Sequence, residues 1–262
     1  MNISKFAEAA LTRPLSMITC YDAWSARLIA DTAIDAVLVG DSAAMVMHGM
    51  ASTVSASVGL MEAHVAAVAR VLTDKLIVAD MPFLSYQQGL SAAMESVQTL
   101  MQAGAHAVKL EGCDGHVDVV ERIVQAGVPV MGHLGLTPQA VNQLGGYRVQ
   151  GREDAAAKSI LRQALALQAA GCFSIVLECI PSELALQITE QLTIPTIGIG
   201  AGASTSGQVL VLHDMLGLQQ EIQPKFVKQY LDGAALMTAA LRQYDAEVKG
   251  AAYPDPALHA YS

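Results

Sequence analysis

Short apolar runs in this chain repeatedly end on an ionisable side chain. Val37-Leu38-Val39-Gly40 runs into Asp41-Ser42, Leu76-Ile77-Val78-Ala79 into Asp80, and Ala107-Val108 into Lys109-Leu110-Glu111. Val128 to Gly132 reaches His133, Ser174 to Leu177 reaches Glu178, and Val209 to Leu212 reaches His213-Asp214. Asp41, Asp80 and Glu111 together make an all-oxygen donor set with no imidazole or thiolate. Such a set suits Mg²⁺, or Mn²⁺, rather than Zn²⁺. Glu178 is then the candidate general base, a carboxylate placed to take a proton from a metal-gripped substrate.

Lys109 and Glu111 stand two residues apart, so on a strand they face the same side. Val108 and Leu110 suit the opposite, helix-covered side, which turns the charged pair inward. Burying that pair is costly without partner charges or a ligand. A structural ion pair is the plain alternative for Lys109 and Glu111, and a helix N-cap the plain alternative for Asp41 or Asp80 alone. His133 reads either as a hydrogen-bond donor to a substrate oxygen or as a structural histidine. Gly198-x-Gly200-x-Gly202 suits a phosphate-binding turn and equally a tight turn with no ligand.

Eight short apolar segments separated mostly by helical patterns must carry these groups. The strands are expected at 15–20, 35–40, 75–80, 106–111, 128–133, 174–178, 194–199 and 209–212. Helices are expected at 2–11, up to 33, 57–72, 88–103, 115–126, 153–170, from about 181, and at 225–244. The segments 43–56 and 134–151 read as loops, the second long enough to be functional. This alternation gives an α/β fold, a closed (β/α)8 TIM barrel with a short N-terminal helix, whose strand ends collect the chemistry. With 262 residues and no composition break, residues 1–262 read as one domain. Within it, 1–14 form an N-terminal helical arm and 248–262 an irregular tail.

The chain is 53% hydrophobic, 15% charged and only 5% aromatic, so the core is aliphatic. The apolar excess suggests that part of the surface is covered in a homo-oligomer. A net charge of −9 with 15 basic residues argues against nucleic-acid binding. The four cysteines form no CxxC pair. No secretory signal or membrane-length apolar run is apparent, which points to the cytoplasm.

Longer motifs carry a resemblance. Gly132-His133-Leu134-Gly135-Leu136-Thr137-Pro138-Gln139, then Gly145-Gly146-Tyr147-Arg148-Val149-Gln150-Gly151-Arg152, is similar to the ketopantoate hydroxymethyltransferase family. So are Val39-Gly40-Asp41-Ser42, Ala79-Asp80-Met81-Pro82-Phe83, Val108-Lys109-Leu110-Glu111-Gly112, Leu177-Glu178-Cys179-Ile180-Pro181 and Gly198-Ile199-Gly200-Ala201-Gly202. The resemblance implies a cytoplasmic, commonly decameric barrel in the pantothenate branch leading to coenzyme A. It implies transfer of a one-carbon unit from 5,10-methylenetetrahydrofolate to 3-methyl-2-oxobutanoate, giving 2-dehydropantoate. By the same resemblance, Asp41, Asp80 and Glu111 serve Mg²⁺; Asp41, Ser42, Asp80 and Lys109 contact the oxo acid; Glu178 accepts the proton.

The segment 43–56 departs from the family pattern, with Ala43-Ala44 where Leu-Gly is usual. Two other readings stay open on sequence alone: a Mg²⁺-dependent lyase or mutase acting on another 2-oxo acid, and a barrel that binds the acid without turning it over.

Overall fold

Strands buried on both faces must be apolar along their length, and those of this protein are. The computed structural model describes residues 1–219 and 224–261. Eight parallel strands follow one another: β1 Leu15–Thr19, β2 Ala36–Val39, β3 Leu76–Asp80, β4 Ala107–Glu111, β5 Val130–Gly135, β6 Ser174–Glu178, β7 Thr196–Ile199 and β8 Gly207–Leu210. Each pairs with the next, and β8 returns to β1 through Met17 opposite Val209, so the barrel closes.

Helices pack outside this ring: α1 Ile3–Ala10, α2 Ala23–Ala30, α3 Ala43–Val46, α4 Val58–Ala69, α5 Leu90–Gln102, α6 Val117–Gln125, α7 Val141–Leu144, α8 Asp154–Ala169 and α9 Ser182–Gln191. Local chemistry sets their limits. Asp22 accepts the Ser25 N–H at 2.8 Å to start α2, and Ser57 accepts the Leu60 N–H to start α4. Past the ends of α5, α6 and α8 the chain turns at Gly104, Gly127 and Gly171, all with positive φ. One face of each long helix is buried, as with Val119, Val120 and Ile123 on α6 and Ile160, Ala164 and Leu167 on α8.

The two expected loops carry short helical turns. Residues 43–56 contain α3 and a 3-10 turn at Thr53–Ser55, and the loop after β5 contains a 3-10 turn at Pro138–Ala140 followed by α7.

Residues Met1–Leu210 form one compact unit and the chain from Val211 onward another. The second unit holds α10 Leu212–Met215, α11 Gly233–Lys249 and α12 Pro256–His259. Its own backbone knits it together: the Tyr230 N–H donates to Met215 O and the Gly233 N–H to Leu216 O. Three expectations shift here. The final strand is Gly207–Leu210 rather than 209–212, so His213 and Asp214 lie on α10 and close no strand. The last long helix is Gly233–Lys249 rather than 225–244, started by Asp232, whose carboxylate accepts the Ala235 N–H. The tail is not wholly irregular, since α12 forms behind Asp255 and the Tyr253 ring meets that of Tyr244 edge-on at 5.8 Å; Ser262 lies outside the described residues, as do 220–223.

Candidate active site

Strand register explains why distant acids meet. Asp80 on β3 lies opposite Lys109 on β4, and Glu111 on β4 opposite His133 on β5. Glu178, the last residue of β6, lies opposite Gly135 of β5. Asp41 stands two residues past the end of β2, after Gly40. All these positions are at the carboxyl ends of the strands, where barrel enzymes place their chemistry. Closure of the barrel therefore gathers most of the expected set at one end.

The contacts are specific. Lys109 Nζ lies 2.7 Å from Asp80 Oδ1, with both side chains almost wholly buried. The other Asp80 oxygen accepts the Asp41 N–H at 3.0 Å. His133 Nδ1 is 3.3 Å from Glu111 Oε1 and 3.2 Å from Lys109 Nζ. His133 Nε2 is 3.2 Å from Glu178 Oε2 but is not aligned as a hydrogen bond. Ser42 stands slightly apart: its Oγ shares a 2.8 Å hydrogen bond with the Tyr21 hydroxyl.

Neither aspartate is a helix cap. Asp41 Oδ2 accepts from the side-chain amide of Gln139 at 2.8 Å, and Asp80 is committed to Lys109 and the Asp41 backbone. The Gln139 N–H donates to Glu111 Oε2 at 2.9 Å. Its amide oxygen accepts from the Tyr86 hydroxyl at 3.1 Å. Gln139 and Tyr86 are buried and central, and neither carries a charge that would mark it in a sequence; Gln139 is visible there only as the last residue of the motif after β5.

Gly198 in β7 and Gly202 beyond it have a packing reason. A Cβ on Gly198 would sit 2.7 Å from Thr205 Oγ1, and one on Gly202 2.7 Å from Ser182 Cβ. Cys20, Cys113, Cys172 and Cys179 are all free. Cys20 is buried with its sulfur against Ser25, a small packed side chain rather than a pocket group.

Electrostatics show an excess of acid. Burial pushes Asp41 well above the usual carboxylate range, and the neighbouring Asp80 and Glu111 charges push it further. Burial opposes the Lys109 cation, yet Asp80, Glu111 and Asp41 outweigh it and raise its pKa. Burial and the Lys109 charge likewise oppose the His133 imidazolium. Glu111 and Glu178 overcome both, and its pKa rises to about 9. Glu111, despite burial, is held below its ordinary value by His133 and Lys109.

A hard divalent cation fits this cluster in donor type and in charge. Asp80 Oδ1 is buried with the Lys109 ammonium beside it at 2.7 Å, and Asp41 is pushed toward protonation by burial and by its acidic neighbours. Among the described residues no three acids, histidines or cysteines converge on one point as they stand. Lys109 takes one Asp80 oxygen, and Gln139 takes one oxygen each from Asp41 and Glu111. Mg²⁺ tolerates this, because it is commonly held by one or two carboxylates and completed by water and substrate.

A family profile described as ketopantoate hydroxymethyltransferase matches residues 1–256. The chain belongs to the ketopantoate hydroxymethyltransferase family. Its relatives include the 3-methyl-2-oxobutanoate hydroxymethyltransferase of Bdellovibrio bacteriovorus, 58% identical over 240 residues, 92% of this chain and 91% of that protein. The protein of the same name from Coxiella burnetii is 52% identical over 250 residues, 95% of this chain and 94% of the relative. Among solved structures, a phosphonopyruvate hydrolase complexed with oxalate and Mg²⁺ superimposes with a TM-score of 0.64 at 12% identity, covering 99% of this chain and 92% of that one. A 2,3-dimethylmalate lyase of the PEP mutase/isocitrate lyase superfamily gives 0.60 at 16% identity, covering 98% and 90%. At that distance the two structures speak for the barrel alone. No described helix of this ketopantoate hydroxymethyltransferase family member is long and apolar enough to cross a membrane.

Proposed function

We propose that the chain transfers a hydroxymethyl unit from 5,10-methylenetetrahydrofolate to 3-methyl-2-oxobutanoate, forming 2-dehydropantoate. Family membership over residues 1–256 supports the reaction. The observation that carries the site assignment is the buried, over-acidic cluster of Asp41, Asp80 and Glu111 beside Lys109, with His133 and Glu178 adjoining it. The match also runs through both compact units, which supports reading them as one functional domain.

Asp41, Asp80 and Glu111 would hold Mg²⁺, or Mn²⁺. When bound, such an ion supplies Lewis-acid polarisation of the oxo acid's ketone, worth several kcal/mol of charge stabilisation. Lys109 and Ser42 meet the substrate carboxylate, the first by charge and the second by its hydroxyl. Glu178 takes the proton from the carbon beside the ketone, and the electron pair of that C–H bond passes to the ketone oxygen. His133, held between Glu111 and Glu178, keeps the base in place and can donate to a substrate oxygen. The resulting enolate carbon then bonds to the one-carbon unit and water supplies the hydroxyl group, while both C–N bonds that held the unit to the folate break and the two nitrogens take up the proton from Glu178 and the second proton of the water.

A cleft of about 530 Å³ opens along the loop after β5, lined by Tyr147, Arg148 and Arg152 among others. The Gln150 N–H in that loop donates to Cys179 O at 2.8 Å, next to Glu178 in the chain. The charges of Asp41, Glu178 and Glu111 reach Tyr147 and, after burial, raise its pKa. These features support the cleft as the approach for the anionic folate, whose carboxylates suit the two guanidinium groups. Leu236, Met237, Leu241, Tyr244 and Val248 are exposed on α11, which supports burial of that face in a homo-oligomer, by resemblance a decamer.

Turnover by the purified chain, given both substrates and Mg²⁺, tests the proposal. Formation of 2-dehydropantoate with release of tetrahydrofolate is expected. Heat of oxo-acid binding without any product would leave only a binding barrel.

A further inference from the structure

Gln139 joins three strand ends to the loop after β5. Its Nε2 donates to Asp41 Oδ2 at 2.8 Å and to Met81 O at 3.0 Å, just beyond β2 and β3. Its backbone N–H donates to Glu111 Oε2 at 2.9 Å, at the end of β4. It sits in the 3-10 turn Pro138–Ala140, where the proline constrains the approach.

The orientation of the amide follows from its neighbours. Nε2 faces a carboxylate oxygen and a carbonyl, which can only accept, while Oε1 faces the Tyr86 hydroxyl at 3.1 Å. Reversing the amide would set its oxygen against two acceptors in a buried site, so the network admits one orientation. Tyr86 is itself anchored: its oxygen accepts the Glu111 N–H at 3.3 Å, and its proton is shared between Glu111 O at 3.2 Å and Gln139. Tyr86, Gln139, Asp41 and Glu111 thus form one continuous buried network. Within it one residue supplies a donor to each of two carboxylates, one just past β2 and one at the end of β4.

We propose that Gln139, oriented by Tyr86, is a positioning residue that presets Asp41 and Glu111 to receive a divalent cation. The proposal rests on the cation-site reading of the preceding section. By occupying one oxygen of each carboxylate, Gln139 fixes the rotation of both groups before any ion arrives. Losing such an outer-sphere hydrogen bond typically weakens metal binding by about 10–100-fold.

The test is a Mn²⁺ titration of the full chain, read by electron paramagnetic resonance without substrate and paired with thermal unfolding. Wild type is compared with Gln139→Leu and Tyr86→Phe; the second variant keeps the ring and decides the matter if the first does not fold. Gln139→Leu is expected to weaken Mn²⁺ binding by roughly 10–100-fold, and Tyr86→Phe to weaken it less. If both folded variants bind Mn²⁺ as tightly as wild type and only melt earlier, the network merely holds the fold and the proposal is overturned while the cation site stands. A wild-type chain that binds no Mn²⁺ removes the cation reading and this proposal with it.

Discussion

His133 Nε2 stands 3.2 Å from Glu178 Oε2, while the other ring nitrogen stands 3.3 Å from Glu111 Oε1. One imidazole thus spans the proposed base and a proposed cation ligand. Burial and the Lys109 charge oppose the protonated ring, but Glu111 and Glu178 favour it and raise its pKa to about 9. The Glu178 contact is close but unaligned, a geometry that catalytic hydrogen bonds often show before substrate tightens them. Replacing His133 by Gln should lower kcat by about 10²-fold, the cost of a base misplaced by roughly an ångström. Steady-state kinetics on the folded variant check this; an unchanged kcat would mean that Glu178 needs no support from the ring.

Gly135 holds the base from the backbone side. Its φ is +95°, and a Cβ there would lie 2.2 Å from the Glu178 carbonyl oxygen and 2.7 Å from Ile180. That carbonyl already accepts the Leu136 N–H at 2.8 Å. Gly135→Ala should destabilise the protein by about 1–3 kcal/mol and move the end of β6. A denaturant melt and a kcat measurement test it together. Wild-type values in both would show that the strand end yields freely.

Breaking the buried ion pair should cost more than neutralising it. Lys109→Met removes the ammonium that stands 2.7 Å from the buried Asp80, a loss of about 3–5 kcal/mol in the metal-free protein. Adding Asp80→Asn should restore much of the stability but not the activity, since both groups are proposed to meet substrate and metal. Chemical unfolding of the single and double variants separates the effects; a double variant no more stable than the single would contradict the argument.

At the opposite end of the barrel, Asp35 serves stability alone. It accepts from Arg13 Nη1 at 2.8 Å and from the Ser16 N–H at 3.0 Å, and the Arg13 hydrogen bond outweighs burial to hold its pKa below the ordinary value. A carboxylate depressed in the folded state stabilises the fold above its unfolded pKa and loses that effect as pH falls through its folded one. Asp35→Asn should therefore lower the melting temperature at pH 7. The two proteins' curves should converge as the pH drops below about 4, with kcat unaffected throughout. Parallel curves down to acid pH would assign the stabilisation elsewhere.

The barrel was legible because strands covered on both faces are written as unbroken apolar runs, and their polar endings mark the carboxyl ends. The last strand slipped by two residues because Gly207-Gln208 is not apolar, while Val211-Leu212 continues the run past the strand into α10. The acids of the candidate site stand out by charge in a chain with few charges. The closeness of His133 to Glu178 could not, because it depends on the register between β5 and β6. Tyr86 and Gln139 were hidden for a different reason: neutral donors and acceptors leave no mark in composition or spacing, and their importance appears only once buried acids need partners.

Proton exchange on 3-methyl-2-oxobutanoate deuterated beside the ketone, followed by NMR without folate, addresses the central claim most directly. Wild type with Mg²⁺ should wash out the label, and a chelator should stop it. Glu178→Gln should slow exchange by about 10²–10⁴-fold while remaining folded. Exchange that ignores the chelator, or that runs at the full rate in Glu178→Gln, would contradict the account.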